Sequence, residues 1–435
     1  MTEINGERIV MKIRGDLVDI LLELDPTLYG EHVVHVGKSK ILYVLMLKGL
    51  YGMLIASLLY YRKFISDIKK IGFELNPYDP CTANRSVNGS QHTIVWHVDD
   101  IKSSHKNKEV NDSFLKWLER TYGEDGIGEV KVVRGLKHDY LAMVLDFTTK
   151  GKLRLDMVEY MKQMIMDFPY DLKGKPMNCP WTEKLFKVDK TAKTLDEKKK
   201  SIFHTFVMKG MFLCKRGRPD LHTGITFLST RTGNPNHGDW EKLLRLLKFL
   251  SLTKNHVLTL EASDQQRITW YVDAAFAVHE DMKSHSGATM TLGKGMVISG
   301  STKQKINTRS STEAELVAMD DYVSKVLWTK LFIEAQGFTI HENIVLRDNT
   351  SSMKLESNGK WSSGRRTRHL KIKYFYVTDL IKRNEIRLEY CPTGKMVADY
   401  MTKPLVAGKF KQFRTEIMNL PDSVSRSVLE RDNYV

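Results

Sequence analysis

The sequence predicts an α/β and α+β multidomain protein, and three observations carry that prediction. At 435 residues the chain exceeds what one ordinary hydrophobic core organises. From Ile268 onward three strand-like runs, a long helical stretch and then alternating strand and helix patterns describe a compact α/β unit of about 150 residues. Upstream the character changes twice: short strands and hairpins with interspersed helices over 1–150, then mostly helical periodicity over 151–262.

Composition is globular, with 42% hydrophobic and 27% charged residues, and no repeat or low-complexity tract. Lys and Arg (67) outnumber Asp and Glu (52), a net charge of +15 that favours a polyanionic partner, nucleic acid before an anionic membrane. Cys81, Cys179, Cys214 and Cys391 are far apart and form no CxxC pair. Neither a zinc site nor a disulfide framework is indicated, so an intracellular, reducing compartment is expected, cytoplasmic or nuclear. The opening MTEINGERIVMK lacks a signal-peptide core, so secretion is not expected.

Residues 41–61, ILYVLMLKGLYGMLIASLLYY, approach the length of a membrane span, but Lys48, Gly49 and Gly52 interrupt them. They read better as strand ILYVLML, a turn at KGLYG, and a helix running through YYRKFISDIKK with Leu54, Leu58 and Phe64 as its apolar line. Around this segment, LVDILLELD has helical period and NPYDP is turn chemistry. Residues 90–104 read as a hairpin: TIVWHV, then Asp99 and Asp100, then IKSSH. The helix VNDSFLKWLERTY follows, then strands at EVKVVRGL, DYLAMVLDF and KLRLDM. Residues 157–168 and 200–255 are helical, joined by the polar stretch NCPWTEKLFKVDKTAKTLDEKKK, and EASDQQR is a plausible linker before the last unit.

Two adjacent aspartates in an apolar hairpin are costly unless a cation offsets them. A second set of carboxylates recurs in the C-terminal unit. In WYVDAAF, Tyr271, Asp273 and Ala275 share one face of a strand; Asp348 ends the strand IVLRD; Asp399 opens the last helix. On the long helix STEAELVAMDDYVSKVLWTKLFIEAQG the choice lies between Glu313 and Glu315. Glu315 is in register with Met319, Tyr322 and Val326 and flanks Leu316, Val323 and Leu327, whereas Glu313 lies on a more polar line. Ser310-x-x-Glu313 and Thr312-x-x-Glu315 each also fit a capping box, so both glutamates have a structural alternative. Carboxylates from two strands, a helix and a helix start can converge at one sheet edge, where their physical use is to hold two Mg²⁺ ions.

ITWYVDAAFA, SHSGATMTLG, NTRSSTEAELVAMDD, VLRDNTSS, RTRHLKIKYFYVTDLI and LEYCPTGKMVADYMTKPL resemble, in order, the RNase H domain of copia-type LTR retrotransposon polyproteins. On that resemblance Asp273, Glu315, Asp348 and Asp399 are the catalytic, metal-binding carboxylates of a hydrolase that cuts RNA in RNA–DNA hybrids with Mg²⁺, Mn²⁺ being an alternative. Many cellular RNases H carry a histidine in the loop before the last helix; here that loop is Thr393-Gly394-Lys395. The basic stretch around Arg365, Arg366, Arg368, Lys371 and Lys373 suits phosphate contacts to the hybrid, against the alternative of a solvated helix face.

Upstream, LKGLYGMLIASLLYYRKFISDIKKIGFELNPYDPC resembles the reverse transcriptase block of the same polyproteins, and TIVWHVDDIKSSH their YVDD hairpin with His97 in place of Tyr. That resemblance implies that Asp99 and Asp100 are catalytic metal ligands of a polymerase palm. It divides the chain into a partial palm (1–150), a thumb- or connection-like helical region (151–262), an RNase H-like domain (263–420) and a tail (421–435). Two-metal nucleotidyl transfer needs a further aspartate from a neighbouring palm strand, and no phrase of the form DVxxAFL precedes the LYG block. GDLVDILLELD, with Asp16, Asp19 and Asp25 nearby, has helical period. The expectation is an N-terminally truncated polymerase with an incomplete site beside a complete RNase H site. A working RNA-directed DNA polymerase completed from elsewhere, and a non-catalytic nucleic-acid-binding remnant, are the competing readings. Other polyprotein products are further candidate partners, and no membrane is expected.

Overall fold

In the computed structural model the described residues are 9–421, apart from positions 48, 51, 52, 54, 124–129, 173, 175, 176, 264, 265 and 360–370. They form two compact units, one up to residue 129 and one from residue 130.

The first unit holds β1 (Val10–Arg14), α1 (Asp16–Leu24), α2 (Pro26–Tyr29), β2 (Val33–Val36), β3 (Ser39–Leu45), α3 (Ala56–Lys70), β4 (Glu74–Asn76), β5 (Asp79–Val87), β6 (Ser90–His97), β7 (Asp100–Ser104) and α4 (Lys108–Tyr122). Its strands make two antiparallel sheets, ordered β1-β3-β2 and β4-β5-β6-β7. Alternation along β6 sends Ile94 and Trp96 to one face, where they pack with Ala83 and with Phe64, Ile68, Phe114 and Leu118 of α3 and α4. The buried line of α3 is Leu59, Phe64 and Ile68, whereas Leu58, expected to face inward, is exposed. Lying six residues before Phe64, Leu58 sits about 120° round the helix from it. Asn76 Oδ1 accepts from the Tyr78 amide and Asp79 Oδ1 from the Cys81 amide, which makes NPYDP the turn between β4 and β5. The β6–β7 turn falls one residue earlier than expected. His97 pairs with Asp100, so Val98 (φ 55°) and Asp99 form the turn and Asp100 opens β7.

The second unit begins with β8 (Lys137–Tyr140), β9 (Met143–Asp146), β10 (Lys152–Asp156), α5 (Val158–Met166), α6 (Glu197–Cys214), α7 (His222–Ser229), α8 (His237–Leu252) and β11 (Leu258–Ala262). It continues with β12 (Arg267–Ala275), β13 (His285–Thr291), β14 (Gly293–Lys294), β15 (Ile298–Lys303), α9 (Ser311–Ala335), β16 (Glu342–Arg347), α10 (Thr350–Asn358), α11 (Lys371–Lys382), β17 (Arg387–Tyr390), α12 (Asp399–Thr402) and α13 (Ala407–Met418). Several expectations change here. EVKVVRGL forms no strand among its described residues, 130–136. DYLAMVLDF is a hairpin rather than one strand, turning at Leu141 (φ 50°) and Ala142 (φ 62°). Neither residue is a turn-former, so nothing in the pattern marks the break. The helix expected from VADYM is two helices, α12 and α13, with Pro404 between them.

The five-stranded sheet β15-β13-β12-β16-β17 is antiparallel at its first two junctions and parallel at its last two. This order and the following helices make an RNase H-like α/β fold. One face packs Trp270, Val272, Ala288 and Met290 against Ala314, Ala318, Met319, Tyr322, Val323 and Val326 of α9. Leu316 turns away from that face to meet Leu355 and Phe375 of α10 and α11. A separate core joins α5–α8 to α12 and α13, through Phe203, Val207, Ile225, Leu246, Tyr400, Met401, Phe410 and Phe413. The polar stretch before α6 contributes to it: Trp181, Leu185 and Phe186 are buried, and Trp181 Nε1 donates to Leu405 O at 2.8 Å. EASDQQR begins inside β11, which pairs with both β10 and β14. No helix among the described residues is long and apolar enough to cross a membrane.

Candidate metal centre

Register brings the first two carboxylates together. β12 and β16 run parallel with Tyr271 beside Leu346, so two residues further on Asp273, still within β12, stands level with Asp348, just past the end of β16. Helix α9 supplies Glu315 from its first turns. One ligand oxygen from each of Asp273, Glu315 and Asp348 lies within 4.8 Å of the others, and among the described residues this is the one group of three or more His, Cys, Asp or Glu with metal-site spacing. Glu313 is a cap: its Oε2 accepts from the Arg309 amide at 2.8 Å and Ser310 Oγ accepts from the Glu313 amide at 3.2 Å.

Each carboxylate of the trio is held by the protein, Glu315 at both oxygens, since its Oε1 accepts from the Ala274 amide at 3.3 Å. Glu315 Oε2 accepts from Arg347 Nη2 at 2.9 Å, and Asp348 Oδ2 from Thr393 Oγ1 at 2.9 Å. Asp273 Oδ2 accepts from Thr402 Oγ1 and lies 3.4 Å from Lys403 Nζ. Asp399, 2% exposed at the start of α12, pairs through Oδ1 with the same Lys403 Nζ. Arg347 is wholly buried and divides itself between Glu315 and Glu356, whose Oε1 it meets at 3.2 Å.

Burial of like charges shows in the acidities. Burial pushes Glu315 up to about 8, with Asp273 and Asp348 adding and Arg347 opposing. Burial, then Asp273, pushes Asp399 up to about 7 against Lys403. Burial raises Glu356 to about 7 despite Arg347. Lys403 shifts upward, because Asp273 and Asp399 outweigh its own burial. Excess negative charge in a dry place is what a hard divalent cation relieves, and an all-oxygen donor set fits Mg²⁺ or Mn²⁺ better than a soft metal.

The structure thus gathers Asp273, Glu315 and Asp348, with Asp399 beside them across Lys403. Asp99 and Asp100 are exposed in the first unit, and no third described carboxylate joins them. Arg365, Arg366 and Arg368 lie outside the described residues; Lys371 and Lys373 fall in α11, with their side chains outside the description. Sequence reasoning missed Thr402, Lys403, Arg347, Glu356 and Thr393. Thr402 and Lys403 stand in ADYMTKPL, where only the aspartate drew attention. Arg347, immediately before Asp348 on an apolar strand, was visible as a charge in a buried run.

No protein-family model matches the chain. Curated relatives do. The Pol polyprotein from transposon TNT 1-94 of Nicotiana tabacum is 25% identical over 84% of this chain and 27% of its own length. That from transposon RE2 of Arabidopsis thaliana is 29% identical over 46% of this chain and 14% of its own length. The truncated transposon Ty1-A Gag-Pol polyprotein of Saccharomyces cerevisiae is 23% identical over 89% and 33%. The chain is similar in sequence to copia-type retrotransposon Pol polyproteins. It spans a third or less of the length of these three Pol relatives. Among solved structures, an RNase H1 isolated from compost is 14% identical, covering 32% of this chain and 93% of that one with a TM-score of 0.24. Prototype foamy virus protease-reverse transcriptase is 12% identical, covering 84% and 41% with a TM-score of 0.22.

Proposed function

We propose that residues 263–420 are a divalent-metal-dependent ribonuclease domain that hydrolyses the RNA strand of RNA–DNA hybrids. The observation that carries this reading is the convergence of Asp273, Glu315 and Asp348 at the edge of the β15-β13-β12-β16-β17 sheet, in a chain similar in sequence to retrotransposon Pol polyproteins. Asp273, Glu315, Asp348 and Asp399 are the residues that would hold Mg²⁺, with Mn²⁺ as a substitute. Such ions activate a water and stabilise the oxygen leaving a phosphodiester. The protein's own groups fix the donors beforehand: Arg347 orients Glu315, Thr393 orients Asp348, and Thr402 orients Asp273. The basic segment with Arg365, Arg366, Arg368, Lys371 and Lys373 is assigned to the hybrid backbone, in keeping with the net charge of +15.

Residues 1–150 are assigned as reverse transcriptase palm with an incomplete polymerase site, 151–262 as thumb or connection, and 421–435 as a tail. Support for the incomplete site is the exposed Asp99–Asp100 turn, which meets no third carboxylate among the described residues.

The deciding experiment is cleavage of a labelled RNA–DNA hybrid by the full chain with Mg²⁺, beside Asp273→Asn and Asp348→Asn. Cleavage by the parent and loss of at least about a hundredfold in each variant is expected, the scale of removing a principal transition-state contact. A parent that leaves the hybrid intact refutes the reading. Primer extension on an RNA template, abolished by Asp99→Asn, would overturn the assignment of an incomplete polymerase site.

A further inference from the structure

Asp273 faces two ways. On one side are Glu315 and Asp348, with ligand oxygens within 4.8 Å of its own, Glu315 being held by Arg347. On the other side is Asp399, and between these two aspartates a cation is already present. Lys403 Nζ bonds Asp399 Oδ1 and lies 3.4 Å from Asp273 Oδ2. The lysine reaches this place because α12 is one turn long: Asp399 and Lys403 are four residues apart, the spacing at which an acidic and a basic side chain meet on a helix. The ammonium is partly withdrawn from water, at 36% side-chain exposure, and Thr402, just before it, donates to the same Asp273 oxygen. A divalent ion shared by Asp273 and Asp399 would have to occupy the position of that ammonium.

We infer that Lys403 takes the place of one of two divalent ions, so that this centre binds a single ion, at Asp273, Glu315 and Asp348, and is closed to a second between Asp273 and Asp399. The inference rests on the metal-centre reading above and narrows it, replacing the expected pair of ions by one ion and one fixed ammonium. Of the five carboxylates Asp273, Glu315, Asp348, Glu356 and Asp399, the charges of Arg347 and Lys403 offset two, and one divalent ion offsets two more.

The test counts bound ions rather than turnover. Full chain, freed of metal, is titrated with Mn²⁺ alone, and the unbound ion is followed by its electron paramagnetic resonance signal. The parent is expected to bind one Mn²⁺, Lys403→Arg one, and Lys403→Met two, because the methionine fills the same volume without charge. Circular dichroism before and after Mn²⁺ shows whether each variant is folded. If Lys403→Met folds only with Mn²⁺, its stoichiometry is read in the refolded state, and parent and Lys403→Arg still decide the matter. Two ions on the parent, or one on folded Lys403→Met, overturns the role of Lys403 while leaving the metal centre standing. No ion on parent or variants overturns the metal centre and the lysine's role together.

Discussion

Arg347 holds Glu315 twice with one nitrogen: Nη2 donates to the main-chain oxygen and to Oε2, each at 2.9 Å. Its Nη1 meets Glu356 at 3.2 Å, and all three side chains are almost completely buried. Removing the cation strands two carboxylates in a dry place. Arg347→Met is therefore expected to cost about 3–5 kcal/mol at neutral pH. The pH dependence has a definite sign. Glu315 and Glu356 titrate above the ordinary carboxylate range, near 8 and 7, so the stability they confer is full at low pH and declines as pH rises through those values. Without Arg347 that decline steepens. Denaturant unfolding at pH 5, 7 and 9 should show the smallest loss at pH 5, and Arg347→Met combined with Glu356→Gln should recover part of it. An equal loss at every pH contradicts the argument.

Much of the C-terminal sheet was legible because its strands and helices alternate with strong patterning; register favoured Glu315 over Glu313, while the metal-binding role expected of Asp273, Asp348 and Glu315 came from the resemblance to the copia-type RNase H domain. The partners of those carboxylates were not. Lys403 and Thr402 reach Asp273 only because β13 and α12 pack closely, and Arg347 reads locally as an anomaly in an apolar strand. Upstream, the turn at Leu141–Ala142 was invisible because apolar residues occupy left-handed positions there. Trp181 and Phe186 looked like parts of a linker, since the helices that bury them come from elsewhere in the chain.

Thr393 occupies the loop where many cellular RNases H carry a histidine, and its hydroxyl donates to Asp348 Oδ2 at 2.9 Å. Thr393 itself is exposed, so Thr393→Val should leave the unfolding free energy within about 0.5 kcal/mol of the parent. Losing an oriented ligand should weaken Mn²⁺ binding on the order of tenfold, with Thr393→Ser restoring it. Unchanged Mn²⁺ affinity in Thr393→Val would show that Asp348 needs no such support.

His279 and His285 are buried beside Phe186 and share a hydrogen bond of 2.9 Å, while His285 Nε2 meets Ser301 Oγ at 2.7 Å and Ser301 donates to Met401 O. The charged groups facing them are Lys303 and Asp281. Burial lowers His279 to about 4 and His285 to about 3, with Lys303 lowering both. For depressed histidines stability is full above the unfolded value near 6.5 and is lost as pH falls toward the folded values. A fall on the order of a few kcal/mol is expected between pH 6.5 and pH 4. His285→Asn should flatten that slope, whatever its effect at neutral pH. A parent whose unfolding free energy does not change over this range would rule out neutral, buried histidines as the cause.

Gly287 of β13 is where the sheet admits α12. A Cβ there would lie 2.5 Å from Thr402 Cγ2 and 2.8 Å from Met401 Cβ, closer than atoms can approach, and the second of these is anchored on the main chain. Gly287→Ala must therefore displace the helix that carries Asp399, Thr402 and, just beyond its end, Lys403. Overpacking of this kind costs about 1–3 kcal/mol. The functional loss should exceed the stability loss, because a displacement of about 1 Å at a positioned group can cost a hundredfold in rate. Adding Thr402→Ser removes the methyl while keeping the hydroxyl for Asp273, so the double variant should regain part of both. Gly394→Ala is the control, since nothing lies within 4 Å of its added Cβ. Hybrid cleavage and thermal unfolding measured on all three variants would separate the outcomes. Full cleavage by Gly287→Ala would mean that the approach of α12 to β13 does not set the geometry around Asp273.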